Sequence, residues 1–108
     1  MNSVVIVGRA GQDSEIRYFE SGKARTTFSL AVNRWDSKTK SEVADWFNIE
    51  VWDKQAEFAS EYIKKGRLVA IEGRISINKW KDVSGEDKER FLVVANNIRL
   101  LGSKRDEQ

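Results

Sequence analysis

The chain has no cysteine and no histidine among its 108 residues. Without cysteine there is no disulfide framework and no thiol chemistry, which suits a reducing compartment. Without histidine the usual proton shuttle at neutral pH is missing. Together the two absences remove most zinc sites and every Cys–His or Ser–His nucleophile pair. Carboxylates alone can bind a hard cation or act as acid and base, but here they are spread along the chain with no pattern that nominates a pair. An enzyme is not expected, nor is a cofactor or a metal; a Mg²⁺-dependent nuclease is the one catalytic reading left. No apolar run approaches membrane-spanning length, and no basic region followed by an apolar signal core opens the chain. The expectation is a soluble, cytoplasmic protein with no membrane partner. Internal repeats and proline-rich linkers are also missing, and the length is one domain's worth, with a modest core. A formal net charge of +2 is too mild to establish a nucleic-acid partner. Where the charges and rings sit matters more than their sum.

The most informative stretch is Asp45 to Trp52, Asp-Trp-Phe-Asn-Ile-Glu-Val-Trp. It alternates with period two and reads as a strand with two distinct faces. Phe47, Ile49 and Val51 form a core face. Trp46, Asn48, Glu50 and Trp52 form the other, polar in the middle with an indole at each end. A face carrying Asn and Glu is wet, so its tryptophans are displayed. Single-stranded nucleic acid calls for such a surface, because every base has a π-face that stacks on a ring. Coverage of the core rim is the structural alternative.

The rest of the chain supplies the frame. Ser3 to Gly8 is a strand apolar on both faces, which needs covering twice; a second subunit is one source of cover. Gly8 and Gly11 flank a bend and Glu15 to Phe19 resumes the strand, a pattern better explained by a bulge than by a phosphate loop, since no helix pattern follows. Ala24 to Asn33 points Phe28, Leu30 and Val32 inward, with Ser29, Ala31, Asn33 and Trp35 outward. A polar loop at residues 36–43 leads to the central strand. Asp53 reads as a helix N-cap with Glu57 in the first turn, and Gly66 follows Lys64 and Lys65 as a stop. Phe58, Ala59, Tyr62 and Ile63 recur at helical spacing, so Phe58 and Tyr62 are expected to plug the core. Leu68 to Trp80 is a long strand with Val69, Ile71, Ile75 and Ile77 inward and Gly73 at a bend. Ser84-Gly85 marks a hairpin turn, and Phe91 to Leu101 is the last strand, with Leu92, Val94, Ile98 and Leu100 in phase. Five strands with one short helix between the third and fourth is the order of the OB-fold, an all-β, partly open Greek-key barrel. The domain spans residues 1–102, and residues 103–108 form a short polar end.

Trp35, Trp46, Trp52 and Trp80 are all the tryptophans of the chain. Parity places each on an outward face or its loop extension, an agreement expected about one time in sixteen by chance. Stacking on such a ring is worth about 1–3 kcal/mol per base. Nearby cations would neutralise phosphates and make binding salt-dependent; the candidates are Arg34, Lys38, Lys40, Lys54, Arg74, Lys79, Lys81 and Lys88. Glu50 and Glu72 lie on the same outward faces. They argue against a uniformly basic groove and assign more of the affinity to stacking.

The sequence resembles the bacterial single-stranded DNA-binding (SSB) family over Met1 to about Gly102. The matching stretches are Val5-Ile6-Val7-Gly8 with Gly11-Gln12-Asp13, Glu15-Ile16-Arg17-Tyr18, Phe28-Ser29-Leu30-Ala31, Ala59-Ser60-Glu61-Tyr62-Ile63-Lys64-Lys65-Gly66, Ile71-Glu72-Gly73-Arg74 and Lys79-Trp80. The resemblance implies an OB-fold that assembles, usually as a homotetramer partly through the first strand, and wraps single-stranded DNA with little sequence preference. It implies a nucleoid-associated role in replication, recombination and repair. The family's stacking aromatics fall on Trp35, Trp46, Trp52 and Trp80, the third being phenylalanine in some relatives. Its basic contacts map onto Lys38, Lys54 and Lys79, and Tyr18 occupies a commonly aromatic position. Typical members carry a long Gly/Pro/Gln-rich tail with an acidic tip that docks replication and repair enzymes. The sequence ends instead at Lys104-Arg105-Asp106-Glu107-Gln108, which leaves such partners open. The alternatives are a tail-less, primosome-type OB-fold accessory protein that engages a helicase, and an RNA-binding OB domain.

Overall fold

A computed structural model describes residues 1–102; the polar end at 103–108 lies outside the described residues. The elements are β1 (Val4–Ala10), β2 (Glu15–Tyr18), β3 (Ala24–Asp36), β4 (Ser41–Trp52), α1 (Lys54–Tyr62), β5 (Leu68–Lys81) and β6 (Asp87–Leu100). β1 and β2 behave as one bent strand along β3. Ala10 faces Leu30 and Glu15 faces Thr27, so five steps on one strand meet three on the other. The surplus residues make the bulge expected around Gly11. Counted that way there are five strands, and they close into a barrel. β1 pairs with both β3 and β5, β5 with β6, β6 with β4 and β4 with β3. Closure is completed by a parallel contact, Ile49 to Val93 and Glu50 to Val94. This is the OB-fold architecture, with the helix between β4 and β5.

Period-two alternation builds the core. On β3, Ala24, Thr26, Phe28 and Leu30 are buried while the residues between them are not. Ile49, Val51, Val69 and Ile71 meet them from β4 and β5. Each such aliphatic side chain contributes about 1.5–3 kcal/mol by leaving water. Among the described residues Thr26 is the buried polar side chain of the barrel, and its hydroxyl donates to the Ala56 carbonyl of α1. On β1, Ile6 is inside, whereas Val5 and Val7 stay exposed within a single chain.

Four expectations need correction. Phe58 and Tyr62 do not plug the core. They are exposed and pack on each other with ring centroids 5.0 Å apart. The helix has nine residues, and the small side chains Ala56 and Ala59, with Ile63 just beyond its end, are what fit against the barrel. Asp53 precedes the helix as expected, but its side chain makes no capping bond; its backbone carbonyl accepts from the amides of Ala56 and Glu57. Ile75 and Ile77 keep the parity of Ile71 but are exposed, as is Phe91. Beyond Gly73, the partner of Val4, β5 loses β1 as a neighbour and runs out with β6 as a two-stranded arm, so an inward parity has no core to meet. Finally, Glu72 faces Asn97 while Gly73 faces Ala95, which leaves Asn96 as a bulge and shifts the phase of β6. Val93 and Ala95 are therefore buried, and Val94 is only half-buried.

Candidate nucleic-acid interface

Register places the aromatic face. Residues directly opposite in an antiparallel pair share one side of the sheet. Trp46 faces Ala31, Asn48 faces Ser29, Glu50 faces Thr27, Trp52 faces Arg25 and Glu42 faces Trp35. Trp35, Trp46 and Trp52 therefore lie on one side of β3 and β4, with a polar floor between the last two. Trp35 is 63% and Trp46 60% exposed, which leaves most of each indole open. Trp46 lies over Gly11, where an added Cβ would stand 2.8 Å from Trp46 Cη2. The bend between β1 and β2 thus needs glycine for the tip of the indole to come so close.

Trp52 is held differently. It is half-buried, its Nε1 donates to Glu50 Oε1 at 2.6 Å, and its ring stacks on Phe19 with centroids 5.8 Å apart. The guanidinium of Arg25 lies 5.3 Å from the Phe19 centroid and 5.9 Å from that of Trp52, and Arg17 covers Phe19 from 5.2 Å. One side of this indole is already occupied by protein. Arg17, Phe19 and Arg25 were not among the sequence candidates. The register of β3 against β4 was the signal that could have found Arg25.

The second wall is the β5–β6 arm. Trp80 faces Lys88, Asn78 faces Arg90 and Ser76 faces Leu92, so these share one side of the arm. A cleft of about 360 Å³ separates that side from the β3–β4 face, with Ser29, Asn48 and Glu50 on one side and Asn78 and Arg90 on the other. Trp80, 48% exposed, lies two residues beyond Asn78 on the cleft side of the arm. Trp35, Trp46 and Trp52 thus share the sheet face that forms one wall of the cleft, and Trp80 shares the arm face that forms the other, although none of the four lines the cleft itself.

The cations are less uniformly placed. Lys38 and Lys40 sit on the exposed turn at residues 37–40, next to Trp35. Lys54 opens α1, Arg74 faces Val94, and Lys79 faces Glu89. Arg34 lies on the side of β3 opposite Trp35, and its Nε bonds Asp45 Oδ2 at 2.8 Å. Lys81 pairs with Asp87 at 3.4 Å, and Lys88 pairs with Glu86 at 3.1 Å and Asp82 at 3.9 Å. Exposed pairs of this kind contribute little to stability, but each places a carboxylate beside the cation. The turn of the arm is organised by Asp82. Its Oδ1 accepts from the Ser84 hydroxyl at 2.7 Å and from the amides of Ser84 and Glu86. The Ser84 hydroxyl, then the Glu86 amide, hold this carboxyl below the usual carboxylate range.

Residues 1–101 match the Single-strand binding protein family. Single-stranded DNA-binding protein 1 of Synechocystis sp. is 50% identical over 107 residues, covering 98% of this chain and 88% of the relative. The single-stranded DNA-binding protein of Thermosynechococcus vestitus is 41% identical, covering 98% of this chain and 87% of the relative. Single-stranded DNA-binding protein 3 of Streptococcus agalactiae is 40% identical over 109 residues, covering 100% of this chain and 79% of the relative.

Proposed function

The chain belongs to the single-strand binding protein family, and from that premise we propose that it is a non-catalytic binder of single-stranded DNA. It tolerates many sequences because its main contact is base stacking on Trp35, Trp46, Trp52 and Trp80. The observation that carries this reading is the β3–β4 register, which gathers three tryptophans onto one wet face across a cleft from the arm that bears the fourth. Lys38, Lys40, Lys54 and Arg74 neutralise phosphates around the cleft; Lys79 contributes less because it lies on the side of the arm away from Trp80, opposite Glu89, and Arg34, Lys81 and Lys88 contribute less because carboxylates already compensate them. The protein protects transient single strands in replication, recombination and repair, in the cytoplasm and on the nucleoid.

The exposed valines of β1 support assembly. Val5 is 69% exposed on a strand that has free edge positions, and a second copy supplies the missing cover. A homotetramer presents several clefts to one strand, and linking binding events in this way raises affinity without new contacts.

Competition against a labelled oligo(dT) tests the proposal. Unlabelled single-stranded DNA of mixed sequence is expected to compete at similar concentrations, and duplex DNA poorly. Preference for a matched ribo-oligomer would favour an RNA-binding role instead. Capture of a helicase by the DNA-free protein, with no oligo(dT) binding, would favour the accessory role.

A further inference from the structure

We propose that the DNA backbone is gripped inside the cleft by two arginines on its opposite walls, Arg25 on β3 and Arg90 on β6. This assignment rests on the single-stranded DNA reading above and adds to it the residues that hold a phosphodiester between the stacked bases.

Arg25 is built for that position. It faces Trp52 in register, and its guanidinium lies over two rings at once, Phe19 and Trp52. Contact with two aromatic faces restricts a side chain that would otherwise sample many rotamers. Its Nε is buried and has no hydrogen-bond acceptor. Arg90 faces Asn78 across the arm and reaches the same cleft. Among the described residues, neither arginine forms an ion pair with a carboxylate. The one carboxylate lining the cleft, Glu50, accepts the Trp52 N–H. Contrast the tip cations Arg34, Lys81 and Lys88, each beside a carboxylate. An uncompensated guanidinium holds mobile anions in the free protein and a phosphate in the complex, and its planar fork suits two oxygens of one phosphodiester. Bases stacked on the tryptophans leave their backbone running between the walls, where both arginines meet it.

The experiment is the salt dependence of oligo(dT) binding, read by anisotropy of a labelled oligomer, for the full chain and for R25Q and R90Q. Loss of one phosphate contact on single-stranded DNA is expected to flatten the slope of log K against log salt by about 0.7. K64Q removes a charge just beyond α1, outside the cleft, and is expected to keep the wild-type slope. R25K keeps the charge but not the planar stack, so it is expected to retain the slope while binding several-fold more weakly. Unchanged slopes in R25Q and R90Q, with the wild-type chain binding normally, would overturn the assignment and leave the DNA reading standing. Failure of the wild-type chain itself to bind oligo(dT) would instead remove the DNA reading. Should R25Q lose its fold by circular dichroism, the exposed R90Q decides.

Discussion

Replacing Trp46 with alanine separates binding from folding. The indole is 60% exposed, so about two-fifths of it is covered, mainly against Gly11 and the floor of β3. An indole offers roughly 200 Å², which puts the covered part at about 80 Å². At about 25 cal/mol/Å² that is about 2 kcal/mol of stability, an upper figure because an unfolded chain already hides part of its surface. A small domain with about 5–15 kcal/mol in reserve stays folded after such a loss. The binding loss is of similar size but appears in a different measurement. One stacked base is worth about 1–3 kcal/mol, which weakens affinity roughly 5- to 150-fold. The assay is titration with an oligo(dT) of about ten nucleotides, short enough for one OB-fold, followed by a thermal melt of the same sample. Wild-type affinity in a folded Trp46→Ala protein would refute the stacking assignment, because no other contact of that ring reaches a ligand.

Other perturbations follow from the same geometry. A Cβ at Gly73 would overlap the Val94 carbonyl oxygen and stand 2.9 Å from its carbon and 3.0 Å from Ala95 Cα. Gly73→Ala is therefore expected to cost about 2 kcal/mol or more, a fall of roughly 8–16 °C in Tm; an unchanged melt would mean that the β6 bulge yields freely. Thr26→Val keeps the shape of the side chain but removes its bond to Ala56, and is expected to lose about 0.5–1.5 kcal/mol in urea unfolding without changing DNA affinity. Asp82 has its folded pKa depressed, so its contribution to the turn is present above the unfolded value near 4 and is lost as pH falls through the lower folded value. Amide protection at Ser84 and Glu86 should accordingly fall at acid pH, and Asp82→Ala should show no such dependence.

Much of this molecule was legible in the sequence, and the misses share a cause. Alternation found the faces of β3 and β4, because period two is a local property of the chain. The strand order and the helix gave the barrel for the same reason. What alternation lacks is any knowledge of where a barrel ends. Ile75 and Ile77 have inward parity on a stretch that has left the core. Helical spacing likewise put Phe58 and Tyr62 on the core side, whereas close packing against the barrel selects Ala56 and Ala59. In the site, the tryptophans were legible from parity. The cluster around Trp52 was not, since Phe19 and Arg25 reach it only through the pairing of β2, β3 and β4. The cations showed the same limit: proximity in sequence nominated Arg34, yet register puts it on the opposite side of β3 from Trp35.

The central claim is that bases stack on the indoles of this cleft. Intrinsic tryptophan fluorescence during titration with oligo(dT), at low and at high salt, tests it most directly. Strong, saturable quenching that survives high salt with a modest loss of affinity is the predicted result, given Glu50 among the rings. Binding with no quenching at either salt would place the bases away from the tryptophans and contradict it.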